Sequence, residues 1–173
     1  RVPLMIDSSK WEVIEAGLHV LGVKPLAPTL SEADALIARA RARGVYGAVE
    51  FHKRWDEANL LLRQAIAEGR LGELRHVSVE YGQRQSIRKA FAPWLQRTNI
   101  FQYLGVHYAD LIYFLTGAVP VRVLAAGVPQ GVPPWRYDAV QALIEWKGGH
   151  VGFTPPLRAG FTSSILTNWI EPQ

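Results

Sequence analysis

Three side chains that can hold or move a proton, Tyr103, His107 and Asp110, fall within one short stretch of the sequence. Around them Leu104, His107, Tyr108, Leu111, Ile112 and Leu115 recur at i, i+3, i+4, i+7, i+8 and i+11. That repeat marks one helical face and predicts a helix over Phe101 to Thr116, closed by Gly117. His107 thereby sits inside an otherwise apolar stripe. Tyr103 precedes it by four residues and Asp110 follows it by three, so hydroxyl, imidazole and carboxylate can share one helix edge. On that edge Asp110 can accept a hydrogen bond from one ring nitrogen and set the tautomer, leaving the other nitrogen to exchange a proton near neutral pH. The same spacing equally describes a core histidine with a structural aspartate beside it.

Lys24 is the second candidate. It ends the apolar run Leu18 to Lys24 and precedes Pro25, whose ring disfavours the α region at the residue before it and holds that residue extended. In open α/β sheets ligands bind beyond the carboxyl ends of the strands, where this ammonium would project. A lysine snorkelling along the surface has the same signature. Residues 83–100 are polar, aromatic and irregular and read as a long loop, with Arg88, Trp94 and Arg97 as candidate substrate contacts. An aromatic face suits a sugar ring and a guanidinium suits a phosphate or carboxylate, while ordinary loop packing accounts for the same residues. The remaining histidines, His19, His52, His76 and His150, have no spacing that suggests a metal site. With no cysteine, disulfides, thiolate nucleophiles and Cys-ligated zinc are excluded, and any chemistry centres on His or Lys.

The elements that must position these groups follow from periodicity. Thr29 to Gly44 reads as a helix: Thr29 and Glu32 have capping-box spacing, Ala33, Leu36, Ile37 and Ala40 share a face, and Gly44 suits the left-handed position after the end. Flanked by the apolar runs Leu18 to Lys24 and Val45 to Phe51, it forms a βαβ unit and so part of a parallel sheet. A second helix is expected from Asp56 to Glu68, burying Ala58, Leu61, Leu62, Ala65 and Ile66 and ending at Gly69. Val77, Val79 and Tyr81 then alternate with His76, Ser78 and Glu80 as in a half-buried strand. Further strands are expected at Val121 to Ala126, Tyr137 to Trp146 and Val151 to Phe153, with Gly127 to Pro134 a turn-rich surface connection. Without crossover helices between them, these last strands are read as an antiparallel sheet with helices on one face. The expected architecture is an α/β remnant of a doubly wound, Rossmann-type domain followed by an α+β domain with a mainly antiparallel open sheet.

Composition bounds the function. The chain has 173 residues, 49% of them apolar, with 19 Lys plus Arg against 15 Asp plus Glu, a formal charge of +4 and a pI near 9.6. This describes an ordinary globular protein with enough apolar content for a core, and excludes collagen, a disulfide scaffold and long disorder. No apolar stretch approaches the roughly 18 to 20 residues that span a bilayer, and the amino terminus lacks a signal pattern, so no membrane partner and a cytoplasmic location are expected. The basic residues are spread along the chain. The densest group, Arg39, Arg41 and Arg43, fans around its helix as a solvated end, so no nucleic-acid partner is expected.

Taken together, GLHVLGVKPLAPTLSEADAL (Gly17 to Leu36) and LGVHYADLIYFLTG (Leu104 to Gly117) resemble the Lys-Pro stretch and the His-bearing helix of the glucose-fructose oxidoreductase / inositol dehydrogenase (Gfo/Idh/MocA) family. Between them EFHKRWDEAN and IAEGRLGELRHVSVEYG are similar to the entry to that family's second domain and its first strand. The resemblance runs over residues 17–173. It implies an NAD(P)-dependent oxidoreductase, with NAD or NADP as cofactor and a sugar or polyol as small-molecule substrate. By it Lys24 and Pro25 would meet the cofactor, Lys24 would hydrogen-bond the reacting hydroxyl, and His107 would take its proton. Tyr103, Asp110, Arg54, Trp94 and Arg97 are the candidate substrate-binding residues, and of these Arg54, with Lys53, stands at a boundary where the family often places a polar contact to the site. Two departures stand out: the family's Glu before Lys is Val23, and its Asp four residues before His is Tyr103. Proton handling is therefore expected to differ from the family norm.

The resemblance divides the chain into residues 1–50, the end of a dinucleotide-binding domain, and residues 51–173, a substrate-binding and oligomerisation domain forming homo-oligomers through its sheet. No GxGxxG turn is present, so that turn is expected before Arg1, and the chain alone is not expected to hold NAD(P)H tightly. Residues 1–17 have no assigned origin in this scheme. Within them VPLMIDSSKWEVIEAGL, Val2 to Leu18, is similar to the pterin-binding domain of cobalamin-dependent methionine synthase. Two alternatives follow: a sugar-binding or oligomerisation module without turnover, and a folate-linked methyltransferase fragment.

Overall fold

The computed structural model describes residues 20–23, 25–90, 98–129, 137–148 and 160–170. They fall into two compact units that meet in the chain between Phe51 and His52.

In the first unit, strands β1 (Val20–Val23) and β2 (Gly47–Glu50) pair in parallel, Val20 opposite Gly47 through Val23 opposite Glu50. Helix α1 (Leu30–Ala42) connects them, as the βαβ reading requires. Its capping box is complete: the Glu32 amide donates to Thr29 Oγ1 at 3.3 Å and the Thr29 amide donates to Glu32 Oε2 at 3.2 Å. At the far end the Gly44 and Val45 amides donate to the carbonyls of Arg41 and Ala40, with Gly44 at φ +61°. This closure takes up Val45, which is why β2 starts two residues later than the apolar run suggests.

The second unit is a four-stranded sheet in the order β3 (His76–Arg84), β6 (Phe161–Ile170), β5 (Tyr137–Lys147), β4 (Val119–Pro129). The expected strands are present and longer than predicted, and the strand expected at Val151 to Phe153 lies outside the described residues. Gly127 to Pro129 belong to β4, which corrects their reading as a surface connection; residues 130–134 lie outside the described set. The sheet is mainly antiparallel, as expected, with one parallel pairing. Although β5 is antiparallel to both β4 and β6, β6 pairs in parallel with β3, His76 opposite Thr162 through Arg84 opposite Ile170. The sheet is therefore mixed.

β6 escaped the pattern reading because its apolar alternation is scrambled. Its buried face carries Phe161, Ser163, Ile165, Thr167 and Trp169, while Leu166 sits on the opposite, half-buried side. Ser163 is tolerated inside because its Oγ accepts the buried Trp146 indole N–H at 2.8 Å.

Helix α2 (Glu57–Ala67) packs against α4 (Val106–Thr116). The expectation that it buries Ala58, Leu61 and Leu62 is corrected. All three are exposed and only Ala65 and Ile66 are half-buried; toward α4 the Arg63 guanidinium lies 4.4 Å from the Phe114 ring centre. The loop expected over residues 83–100 is corrected in its first part, where β3 continues to Arg84 and a short helix, α3 (Gln85–Ala90), follows; residues 91–97 lie outside the described set. A π-helical turn, Phe101–Gly105, leads into α4, and Gly117 (φ +66°) closes it with an amide bond to the Tyr113 carbonyl. One face of the sheet meets this helix in a core of Ile112, Ala118, Ala142, Ile144, Trp146, Phe161 and Ile165. A smaller cluster of Ile100, Leu104 and Trp169 lies beside it. β4 is exposed along its whole length. Among the described residues no helix is long and apolar enough to cross a membrane.

Ile165, with 0% exposure on the inner strand β6, anchors the core of the second unit. Ile165→Ala is expected to cost about 2 to 5 kcal/mol in urea unfolding. A loss below about 1 kcal/mol would mean that Ile165 does not anchor the core.

Candidate functional site

Four consecutive residues after the first unit, His52–Trp55, form a 3-10 helical turn, and each meets a side chain of α4 in sequence order. The His52 ring stands edge-on to His107, with centroids 4.6 Å apart and planes at 62°. Lys53 places its ammonium 5.1 Å from the centre of the Tyr108 ring and 5.7 Å from that of Tyr81 on β3, within cation–π range of both. Arg54 grips Asp110 with two parallel bonds, Nε to Oδ2 at 2.7 Å and a terminal nitrogen to Oδ1 at 2.5 Å. Trp55 tilts against Phe114 at 6.0 Å. The turn is held from behind by Asn59 of α2, whose side-chain amide donates to the Lys53 carbonyl at 2.8 Å.

The Arg54–Asp110 pair is partly shielded, with side chains 30% and 11% exposed. Its hydrogen bond raises the Arg54 guanidinium above its ordinary range, against the opposing effect of burial. The pair corrects the expected partnership on the helix edge. The hydrogen bonds of Asp110 go to the Arg54 guanidinium, whose fork matches its two oxygens, and not to His107 on the same helix. His107 itself is 3% exposed and packed against the turn.

Tyr103 also leaves the common edge. It lies in the π-helical turn, where the wider spiral changes the direction of successive side chains, and it stacks on Trp169 of β6 at 5.8 Å with planes 18° apart. Burial pushes its phenol upward in pKa, partly offset by a hydrogen bond with Gln83, while the nearby Tyr81 adds to the rise. Tyr108 is pushed up to about 12, first by burial and then by Tyr81. Both phenols stay neutral through physiological pH and keep a hydroxyl for hydrogen bonding.

Of the sequence candidates, the structure brings His107, Asp110 and Arg54 to one stretch of α4, with Tyr103 one helical turn away facing β6. Lys24, Trp94 and Arg97 lie outside the described residues. Pro25 is half-buried in the first unit, just before α1. Arg88 is on α3, paired with Asp138 of β5 at 2.9 Å, so its assignment to an irregular loop is corrected. Sequence reading missed His52, which was tested only for metal spacing, and the aromatic partners Tyr81 and Trp169. The available signal was the run His52, Lys53, Arg54 directly after the apolar residue Phe51.

A dinucleotide's pyrophosphate needs a glycine-rich turn that opens onto a helix N-terminus. Between β1 and α1 the sequence has two prolines and no glycine, and the N-terminus of α1 is already engaged by Thr29 and by the Glu32 carboxylate. The negative charge that a phosphate would bring is there already. The described residues do not fit a pyrophosphate site.

The double cycle of Arg54→Met and Asp110→Asn tests the clamp. Each single variant should lose about 1 to 3 kcal/mol, with a coupling of about 1 kcal/mol or more, since the double variant leaves no partly buried charge unmatched. Additive losses would show that the two residues do not act together.

A family model described as the GFO/IDH/MocA C-terminal domain matches residues 59–154, more than half of the chain. An uncharacterized oxidoreductase, YhhX of Escherichia coli strain K12, is 35% identical over 104 residues, covering 60% of this chain and 30% of that protein. The 1,5-anhydro-D-fructose reductase of Ensifer adhaerens is 32% identical over 163 residues, 91% of this chain and 46% of its own. Among solved structures, an inositol dehydrogenase homolog from Azotobacter vinelandii, complexed with NADH and myo-inositol, superposes with a TM-score of 0.71 at 22% identity, over 90% of this chain and 40% of that one. The chain thus spans less than half the length of these curated relatives. With the family match lying across α4 and the strands around it, the chain belongs to the Gfo/Idh/MocA family and carries its C-terminal domain.

Proposed function

We propose that this chain supplies the substrate-binding part of an oxidoreductase acting at a hydroxyl-bearing carbon of a sugar, polyol or derivative, with NAD or NADP as redox partner. The observation that carries this reading is the buried His107, bracketed by the basic turn His52–Trp55 and flanked by neutral phenols. His107 takes the proton of the reacting hydroxyl. Imidazole suits this role because its ordinary titration range brackets neutrality. Lys53 and the hydroxyls of Tyr81, Tyr103 and Tyr108 provide a cation and donors for a polyhydroxylated ligand, and Arg54 acts through Asp110 by keeping the turn on the helix. Lys24 is assigned the reacting oxygen, where an ammonium stabilises developing negative charge. Lys24 and Pro25 are the residues assigned to the nicotinamide end of the cofactor, which when bound supplies the hydride exchange. Its pyrophosphate is not assigned to α1. In domain terms residues 1–50 belong to the dinucleotide-binding part and residues 51–173 to the substrate-binding part.

The sugar-binding alternative has its own support in Asp110 being committed to Arg54 and in the closed N-terminus of α1. Calorimetric titration with sugars and polyols, alongside the absorbance of reduced nicotinamide, separates the two. If turnover is present, His107→Ala should lower kcat by about 100- to 10,000-fold while polyol affinity changes less than about tenfold. Unchanged turnover in that variant removes His107 from the chemistry. Polyol binding without turnover, in a sample shown separately to bind NAD(P)H, supports the binding module instead.

The exposed β4, where Val123 is 55% and Leu124 56% exposed, supports self-association through the sheet. Sedimentation should show a dimer or larger assembly that Val123→Glu dissociates. A monomeric unaltered chain at micromolar concentration would overturn this.

A further inference from the structure

We infer that His52 is the relay through which a proton taken up by His107 reaches solvent. The inference rests on the assignment of His107 as proton acceptor. His107 is 3% exposed, whereas His52 is exposed at the start of the 3-10 turn, and the two rings are in edge-on contact at 4.6 Å. A proton placed on a buried imidazole has to leave before the next cycle, and burial keeps bulk water from the ring. The described neighbours are poorly suited to carry it. Arg54 is permanently protonated and engages both oxygens of Asp110. Lys53 is held over the rings of Tyr81 and Tyr108. Tyr108, pushed up to about 12, keeps its own proton at working pH.

An imidazole differs from all of these because it accepts at one nitrogen and releases from the other. The proton passes from a ring nitrogen of His107 to one nitrogen of His52, directly or through one bridging water. The other nitrogen of His52 gives its proton to solvent, and rotation of the exposed ring restores the starting tautomer. No electrons move, and one proton enters and one leaves. The position also explains why the turn needs its clamp: the Arg54–Asp110 bonds lie two residues beyond His52 and hold that ring beside His107.

Exchange of the His107 ring N–H with water, followed by nitrogen-resolved NMR on the chain as it stands, tests the relay without requiring turnover. In the unaltered chain this proton should exchange rapidly. In His52→Gln and His52→Phe, exchange should require local opening and slow about tenfold or more. The buried Trp146 indole N–H, bonded to Ser163, serves as control and should keep its rate. An unchanged His107 rate in the variants, or equal slowing at Trp146, overturns the relay. Where the chain oxidises a polyol, His52→Gln should also lower kcat with KM unchanged, and added imidazole should restore it. Absence of turnover in a sample shown separately to bind NAD(P)H would remove the proposed activity, and the exchange rates would still decide the relay.

Discussion

The bidentate bond between Arg54 and Asp110 ties the chain segment that follows the first unit to the helix that carries His107. A 3-10 turn of four residues has few internal bonds and little stability of its own. Its geometry is therefore borrowed from what it touches. The guanidinium fork sets both the distance and the rotation of the turn against α4, and the pairings of His52 with His107, Lys53 with Tyr108, and Trp55 with Phe114 follow from that alignment. A bond to a charged group in a partly shielded place contributes about 1.5 to 3 kcal/mol, enough to hold a short turn in one arrangement.

The clamp has a fixed partner because α4 is packed into the core. Ile112 enters the core formed with β5 and β6, and Leu104 enters the second cluster with Ile100 and Trp169. The helix is thus fixed at both ends of the segment that bears His107. The π-helical turn lies at the upper end and redirects Tyr103 toward Trp169, which removes it from the edge it would share with His107 in a regular helix. A polar site here depends on an apolar layer beneath it.

Neutral phenols around a cation define the chemical character of the place. Burial raises the phenols of Tyr103 and Tyr108, so they act as donors across the physiological range and leave Lys53 as a positive charge resting on aromatic faces. Such a surface offers hydrogen bonds and stacking to hydroxylated rings without adding negative charge that would compete with a proton acceptor.

Local order was legible in the sequence wherever one residue's chemistry acts on its immediate neighbours. The capping box at Thr29 and Glu32 and the glycine stops at Gly44 and Gly117 involve bonds within a few residues, and the βαβ unit and β3 show as local apolar runs and alternation even though their pairing is distant. His107 and Asp110 were found in the same way, from the helical repeat. Only the tertiary structure decided that Asp110 serves Arg54, 56 residues away, that His52 faces His107, and that β6 lies inside the sheet parallel to β3. Periodicity records which side of an element is apolar. It does not record which distant charge will claim a carboxylate, nor that a buried serine is satisfied by a tryptophan on the neighbouring strand. Those outcomes depend on partners that only folding brings together.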